Sequence, residues 1–191
     1  MKTGLFFGSF NPVHVGHLII AGHLVDNTDL DNVHFVVTPQ NPLKNQRNLL
    51  DEYKRLELVR AAIADDERFE ANDIEFKLPR PSYTSDTLAY LGEKYPKRQF
   101  ALIMGADNLQ TLHKWKNGDF LLQHYPLYVY PRPDVKVGEK ALPKHVHLLW
   151  DVPMMQISAS YIRRSLKKGH SVRYLIPEPA RDIILKWGYY T

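Results

Sequence analysis

Short apolar runs alternate with longer segments of helical periodicity along this chain. Buried strands are predicted at residues 2–7, 33–37, 99–104 and 127–130, with a further short strand at 146–149. Helices are predicted between them, at 85–95 and just after Asp107. Another is predicted from near Ser158, with Ser158 and Ser160 as candidate N-caps, to a stop at Gly169, and a last one over 178–187. The stripe of the first helix consists of Leu18, Ile19, Ala21, Leu24 and Val25. A second helix, capped by Asp51, has an inner side formed by Leu56, Leu58, Val59, Ala62 and Ile63.

This alternation predicts an α/β fold, a Rossmann-like doubly wound parallel sheet with helices on both faces. With 191 residues the chain is long enough for one core, so we expect a single domain over 1–191 with a helical C-terminal portion from about 157. Ligands of such sheets bind outside the carboxyl ends of the strands. Polar clusters at residues 8–17, 39–47 and 105–107 each follow a predicted strand, and a site is therefore expected where they meet.

Composition and charge narrow the class of protein. Hydrophobic residues make up 44% of the chain and charged residues 24%, as in ordinary globular proteins. The absence of cysteine excludes a disulfide framework and any thiolate metal site. Since no apolar run approaches membrane length, we expect a cytoplasmic protein with no membrane partner. The net charge of +4 suits anionic small molecules, and no interleaving of basic and aromatic residues indicates a nucleic-acid partner.

The first polar loop has the properties of a phosphate site. It joins a strand to a helix start, where unpaired backbone N–H groups and the helix dipole favour anions. Gly8 and Gly16 allow close backbone approach, and His14 and His17 lie three residues apart, on one side of the first turn. Neither a dinucleotide fingerprint nor a Walker loop is present. Ordinary loop histidines and a zinc pair are the alternatives, and zinc is disfavoured because no third ligand lies nearby.

The loop Gly8-Ser9-Phe10-Asn11-Pro12-Val13-His14-Val15-Gly16-His17 resembles the HxGH signature of the nucleotidyltransferase superfamily, with Phe7 and Asn11 where Gly and Asp are frequent. The segment Ile157-Ser158-Ala159-Ser160-Tyr161-Ile162-Arg163 resembles the ISxxxIR signature of the same superfamily. The resemblance implies the nucleotidyltransferase fold, with His14, His17 and Arg163 as catalytic residues. It also implies that ATP is bound by Gly8, Ser9, Phe10, Gly16, Gly105, Asp107, Ile157, Ser158 and Ser160.

Further segments resemble nicotinate mononucleotide adenylyltransferases. They are Tyr83-Thr84-Ser85-Asp86-Thr87-Leu88, the Gly105-Ala106-Asp107 block followed by Trp115, Arg132-Pro133, and a Pro-rich loop ending in Lys44, with Leu43 in place of a family His. The resemblance implies an acceptor site formed by Lys44, Tyr83, Thr84, Asp86, Thr87, Trp115 and Arg132. A helix start prefers an anion, so the segment at 83–88, which either Thr84 or Ser85 could cap, favours nicotinate over nicotinamide. Asp107 could bind ribose hydroxyls, cap its own helix, or do both.

The implied reaction transfers AMP from ATP to nicotinate mononucleotide, with Mg²⁺ accompanying the ATP and no protein metal site. This gives deamido-NAD and pyrophosphate, a step of NAD synthesis. Nicotinamide mononucleotide and phosphopantetheine are alternative acceptors, and a non-catalytic nucleotide-binding or RNA-binding module is the alternative of another class. The sequence leaves a homo-oligomer open.

Overall fold

The structure is a computed structural model that describes residues 1–40, 49–133, 135 and 142–191. Within these residues six strands form one sheet in the order β3-β2-β1-β4-β5-β6, and every neighbouring pair is parallel. The strands are β1 (Lys2–Gly8), β2 (Asn32–Val37), β3 (Phe69–Asn72), β4 (Gln99–Gly105), β5 (Leu127–Tyr130) and β6 (Val146–Leu148). This is the strand order of doubly wound nucleotide-binding sheets, and it confirms the predicted fold class.

Helices cover both faces of the sheet. They are α1 (Val15–Asn27), α2 (Glu52–Ala62), α3 (Thr84–Lys94), α4 (Ala106–Thr111), α5 (Gly118–His124), α6 (Ala159–Lys167) and α7 (Glu178–Trp187). Two 3-10 helices lie at Ile74–Lys77 and Leu112–Lys114. Neighbouring side chains of a strand point to opposite faces. Leu5 therefore joins the core with α3 and α5, whereas Phe6 joins the core with α1, α2, α6 and α7.

The predicted strands and helices are present with shifts of one or two residues, and α7 and β5 match their predicted bounds. In α1 the fully buried stripe is Ile20, Ala21 and Leu24, with Ile20 taking the place expected for Ile19. Asp51 caps α2 as predicted, its carboxylate accepting hydrogen bonds from the backbone of Tyr53 and Lys54. Strand β3 and helix α5 were not predicted. No helix of the described residues is long and apolar enough to cross a membrane.

Since all these strands are parallel, their carboxyl ends lie along one edge of the sheet. The strand order changes direction between β1 and β4, and each of these strands runs into a helix start at that edge: β1 through a short loop to α1, and β4 directly to α4. A crevice opens at such a switch point because the two connections leave in opposite directions. The fold therefore brings the first polar loop and Gly105–Asp107 to the same place.

Candidate active site

The loop after β1 packs its own aromatic side chain underneath it. Phe10 has a positive φ of 42° and is only 3% exposed, with its ring packed against Phe6 and Phe35. A Cβ on Gly8 would lie 2.9 Å from that ring, so only glycine fits there. A positive φ in a bulky residue is strained and persists because the surroundings hold it. Phe10 thus fixes the loop from below, and the backbone of residues 8–10 is what the loop offers to a ligand.

His14 and His17 form one unit at the start of α1. The backbone N–H of His14 donates to Nδ1 of His17 at 3.2 Å, and the two rings stack with centroids 3.7 Å apart. Because Nδ1 of His17 accepts this bond, the proton of its neutral ring is on Nε2. The helix start thereby orients His17 so that Nε2–H is its donor.

His14 is held in its neutral form. Its side chain is 7% exposed, and burial, together with the positive charge of Arg132, lowers its pKa from 6.5 to about 4. The imidazole therefore carries no charge at neutral pH. His14 can serve a phosphate as a hydrogen-bond donor but not as a cation, so the cationic work falls to other residues.

The second predicted anion site lies at the start of α6. Of the two candidate caps, Ser158 is the N-cap, and its hydroxyl accepts the backbone N–H of Tyr161 at 3.2 Å. Arg163 donates through Nη1 to the carbonyl of Asn11 at 2.7 Å and through Nη2 to Oγ of Ser160 at 3.2 Å. The bond to Asn11 spans 152 residues of sequence and ties this helix to the first loop. Both predicted motifs therefore converge.

The two motifs enclose one cleft of about 620 Å³. From the predicted set it is lined by Gly8, Ser9, Phe10, His14, Gly16, His17, Asp107, Arg132, Ile157, Ser158, Ser160 and Arg163. The volume lies within the range of small-molecule sites. Every residue predicted to be catalytic and every predicted ATP-binding residue except Gly105 therefore faces the same space.

Gly105 lies behind the opposite wall of the cleft and leaves room for the side chains that form it. It is the N-cap of α4, and a Cβ there would lie 2.8 Å from Nε of Arg132 and closer still to the carboxylate of Asp107. Asp107 and Arg132 form an ion pair at 3.5 Å, each about half exposed. Since Gly105 caps the helix, the predicted capping role of Asp107 is wrong, and its carboxylate in the first turn is left to face the cleft. Arg132, predicted for the acceptor, lies in the cleft of the ATP motifs.

Of the other predicted acceptor residues that the structure describes, Tyr83, Thr84, Asp86 and Thr87 lie at the start of α3, outside the lining of this cleft. Tyr83 is the N-cap and makes no side-chain capping bond, so the predicted caps Thr84 and Ser85 are wrong; Thr84 is the first helical residue. No side chain caps α3, and the carbonyl of Tyr83 accepts the backbone N–H groups of Asp86 and Thr87 at 3.0 and 3.2 Å; those of Thr84 and Ser85 precede them at the helix start. An anion could therefore bind to backbone N–H groups at this helix start, as it could in the first loop.

Lys116 contacts two of the predicted acceptor residues at the start of α3. Its ammonium pairs with Asp86 at 2.8 Å and lies 4.9 Å from the ring centre of Tyr83. The preceding residue, Trp115, is partly buried against the apolar core. Its indole Nε1 is enclosed and has no hydrogen-bond partner among the described residues. Tyr83, Asp86 and the Trp115 segment thus form one surface, while Thr87 is fully buried beneath it.

Arg55 is a functional element that the sequence analysis missed. It is fully buried on the inner side of α2 and donates to the carbonyls of Ser9, Thr38, Pro39 and Leu50 at 2.6 to 3.2 Å. Guanidinium suits this task because its planar fork donates several bonds at once. Arg55 therefore holds the first loop against the end of β2. The only sequence signal was a charged residue on the apolar side of a helix.

Lys44 lies outside the described residues, so its predicted role stays a prediction. Within the part of the chain that the structure describes, no group of three His, Asp or Glu side chains could hold a metal ion. Mg²⁺ commonly keeps several waters and binds through substrate phosphates with one or two carboxylates. Of the described residues that line the cleft, Asp107 has the carboxylate that an ion arriving with a nucleotide could contact.

Comparisons with known proteins agree with this geometry. The family model described as cytidylyltransferase-like matches residues 5–165. A protein of Cytophaga hutchinsonii named "Probable nicotinate-nucleotide adenylyltransferase" is 51% identical, covering 100% of this chain and 99% of that protein. One of Flavobacterium johnsoniae with the same name is 47% identical, covering 100% of this chain and 99% of that protein.

A solved structure shares the fold. The nicotinic acid mononucleotide adenylyltransferase of Plasmodium falciparum complexed with NaAD superposes with a TM-score of 0.82 at 20% identity, over 99% of this chain and 97% of that one. The sheet order, the convergence of the two motifs and the full-length match to these relatives all point the same way. This chain belongs to the cytidylyltransferase-like family of nucleotidyltransferases.

Proposed function

We propose that this chain is a nicotinate-nucleotide adenylyltransferase, which transfers AMP from ATP to nicotinate mononucleotide and releases deamido-NAD and pyrophosphate. The observation that carries the proposal is the convergence of two anion-binding helix starts, joined by the bond from Arg163 to the Asn11 carbonyl, on one cleft. The names of relatives at 51% and 47% identity over the whole chain support the same reaction.

The chemistry is an in-line displacement at phosphorus. A phosphate oxygen of nicotinate mononucleotide forms a bond to the α-phosphorus of ATP, and the bond from that phosphorus to the bridging oxygen breaks. The second pKa of a phosphate monoester is near 6, so the nucleophile is ionised at neutral pH and needs no general base. The protein has to hold two polyanions together and stabilise the charge that develops on the leaving pyrophosphate.

On the ATP side, the two histidines donate hydrogen bonds and an arginine supplies the positive charge. His14 and His17 donate N–H groups to the reacting phosphate region, His17 through Nε2. Arg163 supplies a permanent positive charge to the triphosphate, which His14 cannot do because its pKa is about 4. The backbone of Gly8, Ser9, Phe10 and Gly16 and the start of α6 at residues 157–160 complete the phosphate site.

Asp107 accepts hydrogen bonds from ribose hydroxyls, with Gly105 leaving room for its carboxylate. Arg132, which pairs with Asp107 in the cleft, binds the phosphate of the mononucleotide. Mg²⁺ bound to the ATP would neutralise part of the triphosphate charge. Lys44 is proposed as a further contact with the acceptor phosphate.

On the acceptor side, the start of α3 binds the pyridine carboxylate. The backbone N–H groups of Thr84 and its neighbours, with Tyr83 and Asp86 beside them, receive the anion, and Trp115 stacks on the ring. Thr87 supports the helix start from below. Nicotinamide carries no negative charge, so the same helix start binds it less well and nicotinate is the preferred acceptor.

Pyrophosphate release from ATP and Mg²⁺ tests the proposal, with nicotinate mononucleotide, nicotinamide mononucleotide and phosphopantetheine supplied in separate reactions. We expect the fastest release with nicotinate mononucleotide, together with a product of the mass of deamido-NAD. Faster release with either alternative acceptor would replace the proposed substrate. Nucleotide binding without release in any of the reactions would favour a binding module and refute the enzyme.

A further inference from the structure

Glu75 is a buried carboxyl that the proposed reaction does not use. It lies in the 3-10 helix Ile74–Lys77, between β3 and the acceptor segment, and is 1% exposed. Burial raises its pKa to about 7, even though the hydroxyls of Thr38, Thr87 and Ser82 act to lower it. Burying a carboxyl so completely costs free energy unless hydrogen bonds compensate for the lost water. The contacts of Glu75 show which residues are involved.

The carboxyl of Glu75 is hydrogen-bonded to the acceptor segment at Thr87. Thr87, which is fully buried in the first turns of α3, donates its hydroxyl to Oε1 of Glu75 at 3.0 Å. Ser82, directly before Tyr83 and 7% exposed, lies close enough to the carboxyl to act on its pKa, but its hydroxyl has no hydrogen-bond partner among the described residues. The hydroxyl of Thr87 also lies 3.3 Å from the carbonyl of Tyr83. Residues 83–86, which receive the acceptor, are thus followed directly by a side chain that is anchored to Glu75.

The same carboxyl connects this segment to the ATP loop. Thr38, at the end of β2, is the third hydroxyl beside Glu75. Its backbone N–H donates to the carbonyl of Gly8 at 2.9 Å, and its own carbonyl accepts from Arg55 at 2.8 Å. A continuous chain of buried polar contacts therefore runs from Gly8 through Thr38 and Glu75 to Thr87.

Charged side chains of the surrounding elements are engaged elsewhere. At the surface, Lys77 pairs with Asp73, and Asp86 of α3 pairs with Lys116. His34, on the same face of β2 as Thr38, contacts Glu70 and Asn72 of β3, and burial lowers its pKa. Glu75 is thus met by hydroxyls, and its ionisation adds an uncompensated negative charge beneath the start of α3.

We propose that Glu75 is a positioning residue for the acceptor, which sets the start of α3 relative to the ATP loop through its contacts with Thr87 and Thr38. The inference rests on the proposed function, because the start of α3 is the acceptor site only there. A neutral Glu75 keeps the helix start receptive to an anion. When Glu75 ionises, its charge opposes the acceptor's carboxylate at the same helix start.

The test is steady-state kinetics of wild type, Glu75→Leu, Glu75→Gln and Thr87→Val, with Glu67→Gln as the matched control on an exposed glutamate of the preceding turn. In Glu75→Leu and Thr87→Val we expect the acceptor KM to rise about tenfold, the loss of one strong buried hydrogen bond. We expect the ATP KM to change less than about twofold. Glu75→Gln, which keeps shape and hydrogen bonding, should restore the acceptor KM at pH 6.

A pH profile separates positioning from plain stability. The ratio of acceptor KM in wild type to that in Glu75→Gln should rise about threefold to tenfold from pH 6 to pH 8, as a single buried charge would cause. Ionisation of the acceptor's own phosphate cancels in this ratio because both enzymes bind the same acceptor. If Glu75→Leu fails to fold, Thr87→Val and this ratio still decide the question.

Several outcomes would overturn the inference. They are an unchanged acceptor KM in Thr87→Val, a KM ratio that does not vary with pH, or equal increases in the KM of ATP and of acceptor. Failure of the proposed function is a separate result, since wild type would then release no pyrophosphate with nicotinate mononucleotide.

Discussion

The role of His17 gives the sharpest prediction, because one side chain combines a structural and a chemical task on different nitrogens. Nδ1 accepts the backbone N–H of His14 at 3.2 Å, and Nε2 carries the proton that the proposed mechanism offers to phosphate. An asparagine places its Oδ1 near the position of Nδ1 and ends short of Nε2. His17→Asn therefore keeps the acceptor for the backbone N–H at the helix start and removes the proposed catalytic donor.

The two tasks differ in magnitude. Removing one donor that stabilises developing charge in a transition state lowers kcat about 10²- to 10³-fold, or about 3–4 kcal/mol. Losing an N-terminal capping bond costs about 1 kcal/mol of stability. We therefore expect His17→Asn to lose about 10²-fold or more in kcat while its free energy of unfolding stays within about 1 kcal/mol of wild type. His17→Ala, which loses both contacts, should be equally inactive and less stable.

Pyrophosphate release gives kcat, and urea unfolding followed by circular dichroism gives stability. His170→Asn is the matched control, since His170 is an exposed histidine beyond the end of α6. It should match wild type in both measurements. A folded His17→Asn protein that keeps turnover within about threefold of wild type would remove Nε2 of His17 from the mechanism.

Three further predictions concern other residues. Arg163→Gln should lower kcat/KM for ATP about 10- to 100-fold, because charge-assisted bonds to phosphate are lost. The control Arg164→Gln, on the exposed side of α6, should change kcat/KM less than about twofold. Equal losses in both variants would refute the role of Arg163 in binding the triphosphate. Arg55→Met leaves buried carbonyls unpaired and should destabilise the protein by more than about 3 kcal/mol in urea unfolding, whereas exposed Arg60→Met should not. The pKa of His14 is about 4 in the folded state, whereas in the unfolded chain it is near 6.5. The free energy of unfolding should therefore decrease by up to about 3 kcal/mol as the pH is lowered across that window. His14→Gln should lack this contribution to the decrease.

Much of the fold could be predicted because its signals are local. Strands β1, β2, β4 and β5 are buried on both sides and appear as continuous apolar runs. The N-caps Asp51 and Ser158 are side chains that bond backbone two or three residues ahead, so the sequence alone shows them. The strand at Phe69–Asn72 was missed because four edge residues with little apolar character carry no periodic signal.

The caps that were wrong have a common cause. At Tyr83 and Gly105 the helix begins without a side-chain bond, so composition pointed to the nearest hydroxyl or carboxylate. Helix α5 follows Asn117 in the left-handed conformation and begins at Gly118, which is not a typical helix start. In these places backbone geometry set by packing decided the boundary.

By itself, the sequence determined the chemistry of the site: which residues carry N–H donors and charge, and that the polar clusters at 8–17, 39–47 and 105–107 each follow a predicted strand. Only the tertiary structure decided what joins them. Arg163 reaches the Asn11 carbonyl, Arg55 reaches Ser9 and Thr38, and Glu75 reaches Thr87 across segments that no local pattern connects. Such contacts depend on the positions of whole strands and helices, and a buried charge becomes favourable only once those elements bring its partners to it.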